Sequence, residues 1–249
     1  MTSDNIFSEK QGKTALITGA SRGIGAAIAA AFAREGYHLI LTCSKSLDDL
    51  EALCSMLRQK YDASCEAVLT DMGDYEQVQN LFSRISGLDV LVNNAGISSI
   101  GLLTDLSPEE WHRIMSVNLD SLFFTCKHAI PLMLQKHAGK IINISSVWGN
   151  VGASMEVAYS ASKGGVNSFT KALAKELAPS NIQVNAISCG VIDTSMNACF
   201  TEEELNALRE EIPADRLGSP DEVAALALQL ATAPSYMTGQ IITIDGGWY

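Results

Sequence analysis

The sequence predicts one α/β domain: a doubly wound, parallel seven-stranded sheet with helices on both faces. Strand-like and helix-like segments alternate from end to end, the pattern of a parallel sheet joined by crossover helices. The strand-like runs are continuously apolar rather than alternating, as strands buried on both faces require. No linker, repeat or low-complexity stretch divides the 249 residues, so residues 1–249 read as a single domain. A chain of this size buries about three quarters of its unfolded surface and needs no disulfide or structural metal to form a core.

Residues 14–18 are the first β-prone run, and residues 23–35 form a helix entered through a glycine-rich turn. A second strand at 38–42 leads to a helix at about 47–60, and a third at 65–69 leads to a helix at about 75–85. The fourth strand spans 88–92. Residues 108 to about 135 read as one helical region, bent at Pro131 because proline cannot donate to the helix ladder. Strands at 140–144 and 182–187 flank a helix at 157–177, and 240–244 is the last strand. The crossovers between parallel strands must be right-handed. Ser107-Pro108-Glu109-Glu110 and Ser219-Pro220-Asp221-Glu222 each place Ser at a helix N-cap, Pro at the first position and Glu at the third. Thr201 and Glu204 repeat this box, and Glu202-Glu203-Glu204 suits a helix N-terminus.

Composition excludes several functions. The net charge is −11 and the basic residues are scattered, which argues against a nucleic-acid partner. The longest apolar run, residues 26–33, is eight long, far short of the ~20 needed to span a bilayer, so no membrane partner is expected. Met1-Thr2-Ser3-Asp4-Asn5 lacks the basic-then-apolar pattern of an export signal. The six cysteines (Cys43, Cys54, Cys65, Cys126, Cys189 and Cys199) show no paired spacing, so they read as reduced thiols of a cytoplasmic protein. Neither they nor the four histidines have metal-ligand spacing, and no metal is expected.

The first strand runs into Thr18-Gly19-Ala20-Ser21-Arg22-Gly23-Ile24-Gly25. Three glycines at this spacing are a weak signal alone, but their place between a strand and a helix gives each a task. Gly19 turns tightly, Gly23 leaves room for a pyrophosphate, and Gly25 lets the helix pack close to the sheet. Helix N-terminal amides and the helix dipole then hold the anion. Asn93-Asn94-Ala95-Gly96 and Ser145-Ser146 end strands on the same edge of the sheet. The second strand ends in Thr42-Cys43-Ser44-Lys45, without the acid that holds the adenosine ribose in NAD sites. Ser44, Lys45 and Arg22 instead suit a 2′-phosphate, which predicts NADP(H).

Tyr159-Ser160-Ala161-Ser162-Lys163 opens a helix, so Tyr159 and Lys163 share a face. A free phenol titrates near pH 10 and is a poor acid at neutral pH. An ammonium at about 4 Å, at an effective dielectric of about 20, favours the phenolate by up to ~4 kcal/mol and predicts a lowered pKa.

With these motifs in place, the chain from about residue 13 to 249 resembles the short-chain dehydrogenase/reductase family. The resemblance rests on the glycine turn, Asp71, Asn93 to Gly96, Asn118, Ser146 and the Tyr159/Lys163 pair. It implies a Rossmann fold and a set of roles. Tyr159 donates a proton to a carbonyl oxygen, Ser146 polarises that carbonyl, Lys163 lowers the Tyr159 pKa and binds the nicotinamide ribose, and Asn118 holds a relay water. Cofactor contacts implied are Gly19, Ser21, Arg22, Gly23, Ile24, Gly25, Ser44, Lys45, Asp71, Met72, Asn94, Ala95, Gly96, Tyr159, Lys163, Gly190, Ile192 and Thr194. One departure is Cys189-Gly190, where the family usually has Pro-Gly; it puts a thiol near the cofactor.

Within the family the chain is most similar to 3-oxoacyl-(acyl-carrier-protein) reductases, NADPH enzymes of fatty-acid synthesis. Its acidity and the Ser180-Asn181 pair weaken that match, because carrier-docking members carry basic residues there; Lys136 and Lys140 serve at the neighbouring position. Residues 148–157 also resemble a branch described as reducing an aminoketone on elongation factor P, and Glu156 suits a cationic amine. A non-catalytic NADP(H) sensor is disfavoured by the retained Tyr159/Lys163 pair. The resemblance further implies a homotetramer or homodimer, with the apolar 236–249 segment suited to an interface.

Overall fold

The computed structural model describes residues 12–198 and 200–249; the N-terminal segment read for an export signal and Cys199 lie outside the described residues. The strands are β1 (Thr14–Ile17), β2 (His38–Cys43), β3 (Cys65–Leu69), β4 (Val90–Asn93), β5 (Gly139–Ser146), β6 (Ile182–Cys189) and β7 (Ile241–Ile244). They form one sheet in the order β3-β2-β1-β4-β5-β6-β7, and each pairing is parallel. The winding reverses between β1 and β4, where Ile17 lies opposite both Leu41 and Val92. A crevice opens at the carboxyl ends of strands flanking such a reversal.

The helices are α1 (Gly23–Arg34), α2 (Leu47–Tyr61), α3 (Tyr75–Phe82), α4 (Pro108–Met115), α5 (Ser121–Lys136), α6 (Trp148–Val151), α7 (Val157–Leu177), α8 (Glu202–Glu211) and α9 (Pro220–Thr232). On one face of the sheet, Ile28 and Phe32 of α1, Leu50 and Leu57 of α2 and Leu230 of α9 pack on Ala15, Ile17, Leu39 and Leu41. On the other, Val78 and Phe82 of α3, Met133 of α5 and Leu177 of α7 pack on Leu16, Ile40, Leu91 and Ile141. Ala15, Leu16 and Ile17 thus alternate between two cores, which is why the strand sequences are continuously apolar.

The three capping boxes form as the sequence predicts, at Ser107/Glu110, Thr201/Glu204 and Ser219/Glu222. Other expectations need correction. The helical region from residue 108 departs from α geometry at a π turn, Ser116–Asp120, whereas α5 continues through Pro131. β5 and β6 both run two residues further than their apolar cores, because Ser145↔Ser188 and Ser146↔Cys189 continue the ladder with polar side chains. These extensions bring Ser146 and Cys189 to the crevice. Among the described residues no helix is long and apolar enough to cross a membrane. Cys43, Cys54, Cys65, Cys126 and Cys189 are free, buried thiols.

Candidate active site

A cleft of about 600 Å³ opens at the carboxyl edge of the sheet. One end is the turn between β1 and α1. Gly19 has φ +65°, and a Cβ there would come within 2.9 Å of Ala95 Cα. Asn94 Nδ2 donates to Thr18 O at 2.9 Å and Gly19 O at 3.0 Å, while the Thr18 hydroxyl accepts from Asn94 N and Ala95 N. The Asn94 amide therefore braces the turn against β4. Gly25 lets α1 approach the ends of β1 and β4 closely: a Cβ there would overlap Gly19 O and Asn94 Nδ2. Gly23 has φ +56° and lies against the Thr194 methyl.

Helix α1 begins at an extended Arg22 with no side-chain cap and no acid in its first turn, so its amides face the cleft without a protein acceptor on them. Arg22, Ser44 and Lys45 border the same end. Neither Arg22 nor Lys45 has an ion-pair partner among the described residues. Ser21 and Ile24 also line the cleft, as do Met72, Gly96, Gly190, Ile192 and Thr194. Asp71 lines it too, but its carboxylate is engaged: Arg113 Nη2 lies 2.8 Å from Oδ2, and Gly73 N donates to Oδ1 at 2.9 Å.

At the other end the residues expected to be catalytic converge. Ser146, at the end of β5, accepts from Trp148 N at 3.2 Å and hydrogen-bonds the Tyr159 phenol. Lys163 is buried, donates from Nζ to Ile144 O at 2.9 Å, and lies 5.6 Å from the Tyr159 ring centroid. Burial pushes the Lys163 ammonium down to about 8. The Tyr159 phenol is pushed up, chiefly by desolvation and further by Cys189 and Glu156, with the Ser146 bond pulling the other way. The lowered phenol expected from the sequence is thus absent. Lys163 turns its ammonium to the Ile144 carbonyl, and desolvation outweighs its field. The Cys189 thiol, also lining the cleft, is pushed up to about 12 by burial.

Asn118 sits in the π turn. Its Oδ1 accepts from Ile97 N at 2.8 Å, and its Nδ2 donates to Ile97 O at 2.9 Å and Ser162 Oγ at 3.0 Å. The side chain clamps the 97 loop to α7. The Thr194 hydroxyl likewise caps the following turn by accepting from Met196 N at 3.3 Å.

Among the lining residues that carry no local sequence signal for the cleft are Ile97, Arg113 and Trp248. The Trp148 ring packs against Trp248 at 5.0 Å and Tyr249 at 5.3 Å between centroids. Glu156, half-buried beside them, accepts a hydrogen bond from the Trp148 side chain, and burial raises its pKa.

The profile described as short chain dehydrogenase matches residues 13–205. The chain is 40% identical over 239 residues to YmfI, an uncharacterized oxidoreductase of Bacillus subtilis, covering 95% of this chain and 99% of YmfI. It is 39% identical over 244 residues to the 3-oxoacyl-[acyl-carrier-protein] reductase FabG of Aquifex aeolicus, covering 96% and 98%. The solved structure of YwfH, an NADPH-dependent reductase involved in bacilysin biosynthesis, superposes with a TM-score of 0.90 at 30% identity, covering 96% and 99%. With its reversed winding, glycine turn and Ser146-Tyr159-Lys163 constellation, this chain belongs to the short-chain dehydrogenase family and is an oxidoreductase.

Proposed function

We propose that this protein is an NADPH-dependent carbonyl reductase. The observation that carries the reading is the convergence of Ser146, Tyr159 and Lys163 at the end of the cleft opposite the glycine turn. The cleft fits a dinucleotide. Positive φ at Gly19 and Gly23 leaves a turn without side chains, and α1 offers its amides to a pyrophosphate. Arg22, Ser44 and Lys45 would hold the 2′-phosphate, Asp71 and Met72 the adenine, and Gly190, Ile192 and Thr194 the carboxamide. Asn94, Ala95 and Gly96 line the middle of the cleft. Bound there, the reduced nicotinamide supplies a hydride. Tyr159 donates its phenolic proton to the carbonyl oxygen, Ser146 donates a hydrogen bond to the same oxygen, and Lys163 supplies positive charge behind the phenol. The cytoplasm and an assembly of two or four copies complete the reading. The assembly is supported by edge strand β7, which leaves Ile241, Ile242 and Ile244 only half-buried. Trp248 turns inward to the cleft instead of joining that face.

For the substrate, a 3-oxoacyl thioester on a carrier protein is supported by the FabG relatives. A specific observation favours the second reading, a ketone bearing an ammonium group such as the aminoketone on elongation factor P. Glu156 presents a carboxylate among the Trp148 and Trp248 rings beside Tyr159, a combination that attracts a cation. The lysines available to dock an acidic carrier are occupied: Lys136 pairs with Asp89 at 2.9 Å, and Lys140 donates to Ala233 O at 2.7 Å. NADPH oxidation is followed with an acetoacetyl thioester and with a short aminoketone. The aminoketone is expected to be the better substrate, and Glu156→Gln to raise its KM about tenfold, as loss of one charged hydrogen bond does. Faster turnover of the thioester, unchanged in the variant, returns the assignment to the acyl substrate.

A further inference from the structure

Behind the Ser146-Tyr159-Lys163 group runs a chain of polar side chains that the proposed reaction does not use. Ser145 Oγ donates to Asn167 Oδ1 at 2.7 Å. Asn167 Nδ2 donates to Asn150 Oδ1 at 2.8 Å, and Asn150 Nδ2 donates to Ser188 Oγ at 2.9 Å. Ser145, Asn167 and Ser188 are 2%, 5% and 0% exposed. The four residues come from β5, α7, α6 and β6, so the bonds tie together every element that carries a residue of the reacting end of the cleft. Asn167 lies one turn beyond Lys163 on the same face of α7. Gly149 closes the packing: a Cβ there would come within 2.6 Å of Lys163 C and 3.0 Å of Asn167 Nδ2.

A four-residue helix such as α6 has almost no stability of its own. Besides the backbone bonds to Val147 O, the Asn150 side chain ties the α6 segment to β6 through Ser188 and to α7 through Asn167, and the segment's first residue, Trp148, lines the cleft. Trp148 N also donates to Ser146 Oγ, so a shift of α6 moves both the wall and the serine. A network this buried is costly when half satisfied, so removing its central member loosens every bond at once.

We propose that Asn167 is a positioning residue that locks α6, and through it Trp148 and Ser146, onto the turn of α7 that carries Lys163. The catalytic part of this claim rests on the carbonyl-reductase reading; the positioning part does not. The test uses the full chain with Trp111→Phe and Trp248→Phe, leaving Trp148 as its single tryptophan. Asn167→Ala is expected to raise acrylamide quenching of Trp148 about twofold. In the otherwise native chain it is expected to lower kcat about tenfold, the scale of loss from a misplaced catalytic group, with NADPH affinity changed less than about twofold. Asn150→Ala cuts the same link from its exposed end and gives the same pattern, and the double variant is no worse than Asn167→Ala alone. If Asn167→Ala does not fold, Asn150→Ala alone decides the matter. Unchanged Trp148 quenching in the folded variant, or parallel losses of kcat and NADPH affinity, would overturn the proposal. If the native chain oxidises NADPH with no ketone, the carbonyl-reductase reading fails, while the quenching result still decides whether Asn167 holds α6.

Discussion

Replacing Tyr159 with Phe lowers turnover by about a thousandfold while leaving NADPH affinity within about twofold, since a positioned general acid contributes about 10²–10⁴ to a rate. The hydroxyl is the group lost, and the ring that lines the cleft is kept. Stopped turnover with intact cofactor fluorescence is the expected pair of observations; a variant that keeps a tenth of native activity removes Tyr159 as the acid. The pH profile separates Tyr159 from Lys163. Burial raises the phenol, so Tyr159 keeps its proton through the neutral range and above. Lys163, pushed down to about 8, is charged below that pH and loses its charge above it. The kcat/KM for reduction is therefore expected to fall as pH rises through about 8, and that limb belongs to the lysine. Lys163→Arg, which holds its proton at every accessible pH, is expected to lose the limb along with much of the rate. A limb that persists in Lys163→Arg assigns the titration to another group.

The central strands were legible because they pack against helices on two faces, and β2 is marked by its apolar run to within one residue of its end. The same reasoning stopped short at Ser145-Ser146 and Ser188-Cys189. There the ladder continues but the side chains serve the cleft and the network behind it, and polarity masks the strand. The π turn at Ser116–Asp120 had no signature in periodicity, and Pro131 lies inside α5, which runs on to Lys136. In the site, the glycine turn and the Tyr159/Lys163 pair were readable because their geometry is local: one turn and one helix face. The directions of their pKa shifts were not, because these depend on burial and on the Ile144 carbonyl that Lys163 meets across the fold. Trp248, Arg113 and Asn167 likewise meet their partners across the fold rather than within one turn. Nothing nearby in the chain announces that Trp248 will pack on Trp148, or that Asn167 will meet Ser145 and Asn150.

Removing Arg22 and Lys45 together, as Arg22→Ala/Lys45→Ala, is expected to weaken NADPH binding about a hundredfold, roughly tenfold for each charge-assisted phosphate contact. NADH binding is expected to change by less than about threefold, because it lacks the phosphate these cations meet. Both side chains border the adenosine end of the cleft, and neither is committed to an acid among the described residues, so their charge is available to a ligand. Both are exposed, so the effect depends on salt: raising ionic strength should narrow the gap between the native chain and the double variant. Ser44→Asp reverses the local sign. A carboxylate there repels the 2′-phosphate and accepts from the ribose hydroxyls that NADH offers, so the preference should invert without any change at Tyr159 or Lys163. Titration of both cofactors into the three proteins separates the possibilities. Equal affinity of the native chain for NADH and NADPH would remove the phosphate site, and with it the argument from the missing acid at the end of β2.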